Sequence, residues 1–125
     1  SGGELSRFML ALRVVVTANG GPDTLIFDEV DSGIGGATAD AVGARLAVLA
    51  QKLQVLVVTH SPQVAARGNS HFKVAKYSTS EDTVTNVQEL FKEEKCEEVA
   101  RMLSGKEVTN EARAAASKLL QEKNS

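Results

Sequence analysis

Two short apolar runs, rich in strand-forming residues, constrain the fold of this chain more than any other feature of its sequence. They are TLIF at residues 24–27 and VLVV at residues 55–58, and a segment with helical periodicity, residues 37–52, lies between them. A buried strand, a helix and a second buried strand in so short a stretch form a βαβ unit, whose two strands run parallel in one sheet. The sequence therefore predicts an α/β fold with a parallel core.

The segments on either side of this unit predict a helix and a hairpin. Residues 5–18 carry apolar side chains at helical spacing, which predicts an amphipathic helix. Residues 71–77 and 83–91 alternate loosely and flank the polar stretch STSED. This pattern predicts a β-hairpin on the edge of the sheet.

The last third of the sequence predicts two helices. Gly105 can close the first, and Thr109 or Asn110 can cap the N-terminus of the second. Cys96 lies on the apolar face of the first helix, which favours a buried thiol. The inner face of the second helix is predicted to consist of Ala112, Ala115, Ala116, Leu119 and Leu120.

Composition limits the classes of function. The formal net charge is -2, from 14 basic and 16 acidic residues, and no block of Lys or Arg forms an electrostatic footprint for nucleic acid. Charge is densest in residues 81–98, which predicts a solvated surface. The single cysteine excludes an internal disulfide and suits a reducing compartment. The sequence contains no secretory signal and no apolar run long enough to cross a membrane, and its start at Ser1 without Met predicts a processed or excised piece.

Two adjacent acids, Asp28 and Glu29, follow the first predicted strand directly. Open α/β sheets bind ligands at the carboxyl ends of their strands, and neighbouring strand residues point to opposite sides. One carboxylate can therefore hold a metal ion while the other reaches a different atom. Four apolar residues followed by Asp-Glu resemble the Walker B element of P-loop ATPases. The alternative is that acids end the strand because the chain returns to solvent, and on these residues alone the two interpretations stand even.

Two further groups are candidates for the same site. His60 ends the second predicted strand, so we expect it at the same edge of the sheet, where an imidazole can donate to a phosphate oxygen. The alternative is a structural histidine. The opening SGGE places Ser1, Gly2 and Gly3 before a helix, whose free N–H groups favour a phosphate. Because Ser-x-x-Glu is also a capping box, a plain capping turn stays open.

Four short patterns occur in order along the chain: SGGE, TLIFDE, VDSGIGG and VVTHS. This order resembles the second half of an ABC-type ATPase head, with its signature motif, Walker B element, D-loop and switch histidine. The longer stretches SGGELSR, DEVDSGIGG and VTHSPQVAARG, and the tail EEVARMLSGKEVTNEARAAASKLL, are similar to the RecN family of SMC-like ATPases of bacterial double-strand-break repair. Other catalytic patterns fail: the glycines at residues 33–36 do not complete a dinucleotide fingerprint, and neither G-x-S-x-G nor zinc-ligand spacing occurs.

The resemblance implies a fold and a division of the chain. The fold is α/β, the C-terminal half of an ABC/SMC-like P-loop ATPase head, with a parallel βαβ core, helices packed on it, an edge hairpin and two C-terminal helices. Residues 1–91 would form the half-head, and residues 92–125 a helical tail packed on the same domain.

The resemblance also implies ligands and roles for individual residues. The ligands are ATP and Mg²⁺, with Asp28 holding the metal ion and Glu29 positioning or activating the attacking water. The remaining implied residues are Ser1, Gly2 and Gly3 for a signature loop that contacts ATP bound to a second head, Asp31 near the dimer interface, and His60 as the switch histidine.

One expected motif is missing from the sequence. No phosphate cradle of the form G-x-x-x-x-G-K-S/T occurs, and at the one Gly-Lys pair, Gly105-Lys106, Ala100 stands where the first glycine belongs. The resemblance therefore implies an ATPase parent and a chain that is inactive alone.

The implied partners are a second head joined through ATP, DNA reached through the full-length parent, and recombination proteins, with no membrane. The implied location is cytoplasmic and nucleoid-associated. Two alternatives stay open: a non-catalytic dimerisation or structural fragment, and the head of another SMC-like or transporter ATPase.

Overall fold

A computed structural model describes residues 2–17 and 20–122 of the chain. In chain order the elements are α1 (Gly2–Thr17), β1 (Thr24–Asp28), α2 (Gly36–Leu49), β2 (Gln54–Val58), α3 (Pro62–Arg67), β3 (His71–Ser78), β4 (Thr83–Leu90), α4 (Glu93–Ser104) and α5 (Asn110–Glu122). None of the helices in this described part is long and apolar enough to cross a membrane.

The predicted parallel core is present. Strands β1 and β2 pair in parallel with Leu25 opposite Val55 and Phe27 opposite Val57. Of these residues, Phe27, Val55 and Val57 pack against a cluster of buried side chains from α2 and α3. The parallel pairing of β1 and β2, with α2 between them in the chain, confirms the prediction of a βαβ unit.

The opposite face of the same sheet is open in the described residues. Ile26 is 70% exposed, and Leu56 and Val58 on the neighbouring strand are also exposed. Because side chains alternate along a strand, Asp28 lies on this open face together with Ile26. Among residues 2–17 and 20–122, helices thus cover one side of the parallel sheet, whereas parallel sheets are usually covered on both.

The hairpin forms as predicted, but its predicted place on the edge of the parallel sheet is wrong. Strands β3 and β4 are antiparallel, with Val74 opposite Val87, and they form a separate two-stranded sheet. The unpredicted helix α3 takes the chain away from β2 before β3 begins. The hairpin contacts α4 instead, through an ion pair between Lys73 and Glu98 at 3.0 Å.

Helix α3 joins the two halves of the core. Ser61 caps its N-terminus by accepting a hydrogen bond from the Val64 N–H at 3.4 Å, and Pro62 occupies the first turn, where its missing N–H costs nothing. Val64 packs into the cluster beneath the parallel sheet, whereas Ala66 packs into a second cluster formed with α4 and α5. Through α3, the packing of side chains extends from α2 to α5 without a break. The division of the chain at residue 92 stays a prediction.

The two C-terminal helices lie where the sequence predicts them. Gly105 ends α4 at φ 83°, and the Thr109 hydroxyl accepts from the Ala112 N–H at 3.1 Å at the start of α5. Two expectations are wrong. Ala115 is exposed because the inner face of α5 follows Ala112 and Ala116. Glu98, within the segment predicted to be solvated, is buried under the hairpin.

Candidate functional site

The site lies where the two parallel strands end side by side. The Glu29 N–H donates to the carbonyl oxygen of Val58 at 2.8 Å, one residue beyond the last paired residue of β1. The loop then turns back, with the Ser32 N–H donating to the Glu29 carbonyl oxygen at 3.0 Å. Hydrogen bonds of the main chain therefore bring the segment after β1 beside the segment after β2.

The predicted neighbours Glu29 and His60 are in direct contact. Oε1 of Glu29 lies 2.9 Å from Nε2 of His60, and the two side chains are 48% and 88% exposed. Glu29 has φ 51°, a left-handed conformation that is uncommon for residues other than glycine. The turn that holds Glu29 thus points its carboxylate along the edge of the sheet, toward the imidazole.

A second contact joins the same two loops beneath this pair. Asp31 is 7% exposed, and its Oδ2 accepts a hydrogen bond from the Thr59 hydroxyl. The Thr59 oxygen in turn accepts from the Ser61 N–H at 2.9 Å. Thr59 was not predicted from the sequence, where its only signal is a hydroxyl residue directly before His60. Its partner becomes visible only when the strands are known to be neighbours.

An open cleft of about 270 Å³ lies at the strand ends beside these contacts. Gly33 turns the loop at φ 77°, where a larger residue would be strained. The cleft is lined by Glu29, Asp31, Ser32, Gly33, Ile34, His60 and Ser61. It combines a carboxylate, an imidazole and hydroxyl groups, which are the groups needed to orient and deprotonate a water molecule.

Asp28, Gly2 and Gly3, which were also predicted for the site, do not line this cleft. Asp28 is exposed on the open face of the sheet and does not line the cleft. Gly2 and Gly3 lie in the first turn of α1 rather than in a loop before it, and Ser1 is outside the described residues. Within residues 2–17 and 20–122, no group of three or more His, Cys, Asp or Glu side chains is arranged to hold a metal ion.

A larger cleft, of about 430 Å³, lies between the hairpin and α4. Its lining includes four glutamates together with Lys73: Glu93, Glu94, Glu97 and Glu98. The Arg113 guanidinium, through its hydrogen bonds, lowers the pKa of Glu97, which keeps that carboxyl ionised. The lining has four carboxylates against the one ammonium of Lys73, and this excess of negative charge repels a polyphosphate. The cleft is therefore the weaker candidate for a nucleotide.

Sequence comparison relates nearly the whole chain to one group of bacterial proteins. No family model matches it. It is 51% identical over 122 residues to the DNA repair protein RecN of Xylella fastidiosa (strain 9a5c), a match covering 98% of this chain and 22% of the relative. The RecN of Deinococcus radiodurans is 53% identical over 84% of this chain, and that of Haemophilus influenzae 46% identical over 96%. The chain thus spans about a fifth of the length of the relatives it matches.

Comparison with solved structures relates the fold of the chain to that of an SMC ATPase. A solved structure from work on the ATP-driven dimerisation and DNA-stimulated activation of SMC ATPases superposes with a TM-score of 0.60 at 18% identity. The match covers 86% of this chain and 64% of the other. The described residues of the chain therefore have the fold of part of an SMC ATPase head.

Proposed function

Because this chain belongs to the RecN family, we propose that it is the C-terminal part of an ATP-hydrolysing, SMC-like head that acts in DNA double-strand-break repair and recombination. The observation that carries the proposal is the contact between Glu29 and His60 at 2.9 Å, at the carboxyl ends of neighbouring parallel strands. Such strand ends are where α/β sheets bind nucleotides.

Glu29 is the proposed general base. Its carboxylate is half exposed and faces the cleft, so a water molecule can reach it from solvent. In the proposed step, Glu29 accepts a proton from water as the water oxygen bonds to the γ-phosphorus. The bond between the γ-phosphorus and the bridging oxygen breaks, which gives ADP and phosphate. His60 is almost fully exposed beside Glu29, and in the proposed step its ring donates an N–H to an oxygen of the γ-phosphate in place of its contact with Glu29.

Asp28 is the proposed ligand of Mg²⁺. It is a single exposed carboxylate at the end of β1. Mg²⁺ commonly binds through one or two carboxylates while keeping several waters and contacting substrate phosphates, so this residue fits the ion. When bound, the ion neutralises charge on the phosphates.

Other parts of the protein are proposed to complete the site. The sequence has no lysine-containing phosphate cradle, and the chain spans 22% of its Xylella relative. The open apolar face formed by Ile26, Leu56 and Val58 supports the proposal that further residues pack on this sheet. Most of the binding energy for the triphosphate would come from that cradle, so we expect the chain alone to be inactive.

A second head is the proposed partner across ATP. Gly2 and Gly3, at the N-terminus of α1, would contact the γ-phosphate of ATP held by that head, together with Ser1. Asp31 would lie near the interface between the heads. The full-length protein would reach DNA and recombination proteins in the cytoplasm, in association with the nucleoid.

The test compares ATP turnover by the full-length protein with that of its Glu29→Gln variant. Turnover should fall by about 10²–10⁴-fold, because the amide cannot accept the proton, whereas ATP binding should persist. Light scattering should show an ATP-bound dimer that no longer dissociates. Glu89→Gln, an exposed glutamate on β4, is the matched control. If Glu29→Gln turned over ATP within twofold of the parent, the role of Glu29 would be wrong.

A further inference from the structure

Two contacts of different character join the loops that follow β1 and β2. The outer contact is the pair Glu29 and His60, and the inner contact is the hydrogen bond from Thr59 to the buried Asp31. We infer that the inner contact sets the geometry of the outer one, so that Thr59 and Asp31 are positioning residues for ATP hydrolysis. This inference rests on the function proposed for Glu29 and His60.

The outer pair cannot hold its own geometry. Glu29 is half exposed and His60 almost fully exposed, and a contact between exposed polar groups contributes little to fixing two flexible side chains. The positive φ of Glu29 adds to the difficulty, because an unconstrained chain would relax toward a commoner conformation. The main-chain bond from the Glu29 N–H to the Val58 carbonyl oxygen fixes the ends of the strands, so a contact between the loops beyond them is needed to fix the side chains that follow.

The inner contact has the properties required for this task. The Thr59 hydroxyl donates its one proton to Asp31 and accepts from the Ser61 N–H, so its orientation is fixed from two sides. The bond to Asp31 is partly buried and its acceptor is a carboxylate, which makes it stronger than a bond between two neutral groups. Ser61 also caps α3, whose Val64 lies in the core. Thr59 therefore transmits the position of α3 to the loop that carries Glu29.

Loss of the hydroxyl should affect turnover more than ATP binding. Glu29 and His60 would both remain, but the loops that carry them would no longer be linked beneath the surface. A misplacement of about 1 Å in a catalytic group can cost as much as about 10²-fold in rate. The expected signature is a fall in kcat with little change in KM for ATP.

The first test uses the full-length protein and three threonine variants. Thr59→Val removes the hydroxyl at nearly constant shape and should lower kcat by about 10–10²-fold, with KM within about threefold. Thr59→Ser restores the hydroxyl and should recover most of the turnover. Thr85→Val, at an exposed position in β4, is the control and should behave as the parent.

The outcomes separate the inference from the proposed function. If Glu29→Gln abolishes turnover but Thr59→Val leaves kcat within twofold, the inference is wrong and the proposed function stands. Equal losses in Thr59→Val and Thr59→Ser would also overturn it, since the hydroxyl would then be irrelevant. If Thr59→Val does not fold, the double variant Asp31→Leu with Thr59→Val removes the stranded carboxylate, and its turnover should still be reduced.

A second test needs no nucleotide. In the full-length protein with isotope-labelled histidine, the ring signals of His60 and His71 can be assigned by NMR from the signal lost in His60→Gln and in His71→Gln. In the parent, the His60 ring should show nuclear Overhauser contacts with the Glu29 side chain, and Thr59→Val should remove them. His71, on β3, serves as the internal reference and should not change. Contacts that survive in Thr59→Val would overturn the inference even if ATP hydrolysis were impaired.

Discussion

Replacing Glu98 by Gln should destabilise the chain by about 1–2 kcal/mol, even though Glu98 lies in its most highly charged segment. The Glu98 carboxylate lies 2.5 Å and 2.9 Å from two nitrogens of Arg101 and 3.0 Å from the Lys73 ammonium. Arg101 is one turn further along α4, whereas Lys73 belongs to β3. Glu98 therefore ties the hairpin to the helix beneath it.

The exposure of the partners sets the size of this effect. The side chains of Arg101 and Lys73 are 48% and 38% exposed, so water screens both pairs and neither is worth more than about 1 kcal/mol. The larger cost of stranding a buried charge does not apply, because both cations stay in contact with water. A loss of about 1–2 kcal/mol corresponds to a fall in Tm of about 4–8 °C for a chain of this size.

The same contacts give the effect a pH dependence. Burial alone would raise the pKa of Glu98, but the hydrogen bonds from Arg101 and Lys73 outweigh it and hold that pKa below the ordinary value of 4.5. As the pH falls, the unfolded chain takes up a proton on this residue before the folded chain does. The stabilisation is therefore complete at neutral pH and is lost as the pH falls through and below 4.5.

Urea unfolding followed by circular dichroism, at pH 7 and near pH 3, measures both effects. Glu89→Gln, an exposed glutamate on β4, is the control for loss of a negative charge alone. Lys73→Met, alone and combined with Glu98→Gln, gives the coupling energy across the hairpin. Equal stability of the parent and Glu98→Gln at pH 7 would refute the reasoning, and so would a difference of undiminished size at pH 3.

Two further predictions concern the chain by itself. Calorimetry should detect no micromolar MgATP binding to the isolated 125-residue chain, since it lacks a phosphate cradle, and tight binding would contradict the proposed division of the site. His71→Gln should flatten the pH dependence of the unfolding free energy below pH 6.5. Burial lowers the pKa of His71. The negative charge of Glu98 opposes this shift, whereas the positive charges of Lys95 and Lys73 add to it, and protonation therefore favours the unfolded chain. Urea titrations between about pH 5 and pH 7 would measure this slope, and an unchanged slope would contradict it.

The parallel core and the pair at its edge could be predicted from local patterns. TLIF and VLVV each predict one strand. Glu29 directly follows β1, and His60 lies two residues after β2. Glu29 and His60 then fall together because β1 and β2 are neighbours in register. Their roles in catalysis remain predictions that the experiments above address.

Other features depend on contacts that no local pattern encodes. Helix α3 has six residues, too few to show helical periodicity, and its start is marked only by Ser61 and Pro62. Glu98 has the same local sequence character as its exposed neighbours, and its burial depends on where the hairpin settles. The bond between Thr59 and Asp31 joins residues 28 positions apart, and it requires both loops to be in place first.

Because of the left-handed backbone at Glu29, selection for thermal stability and selection for catalysis should favour different residues at this position. A residue with a β-carbon held at φ 51° costs the fold of order 1–3 kcal/mol, which Gly would avoid and Asn would reduce. A mutant library enriched only for heat resistance should therefore drift to those residues at position 29. Under the proposed function, a library enriched for ATP turnover should keep the glutamate and accept a lower melting temperature.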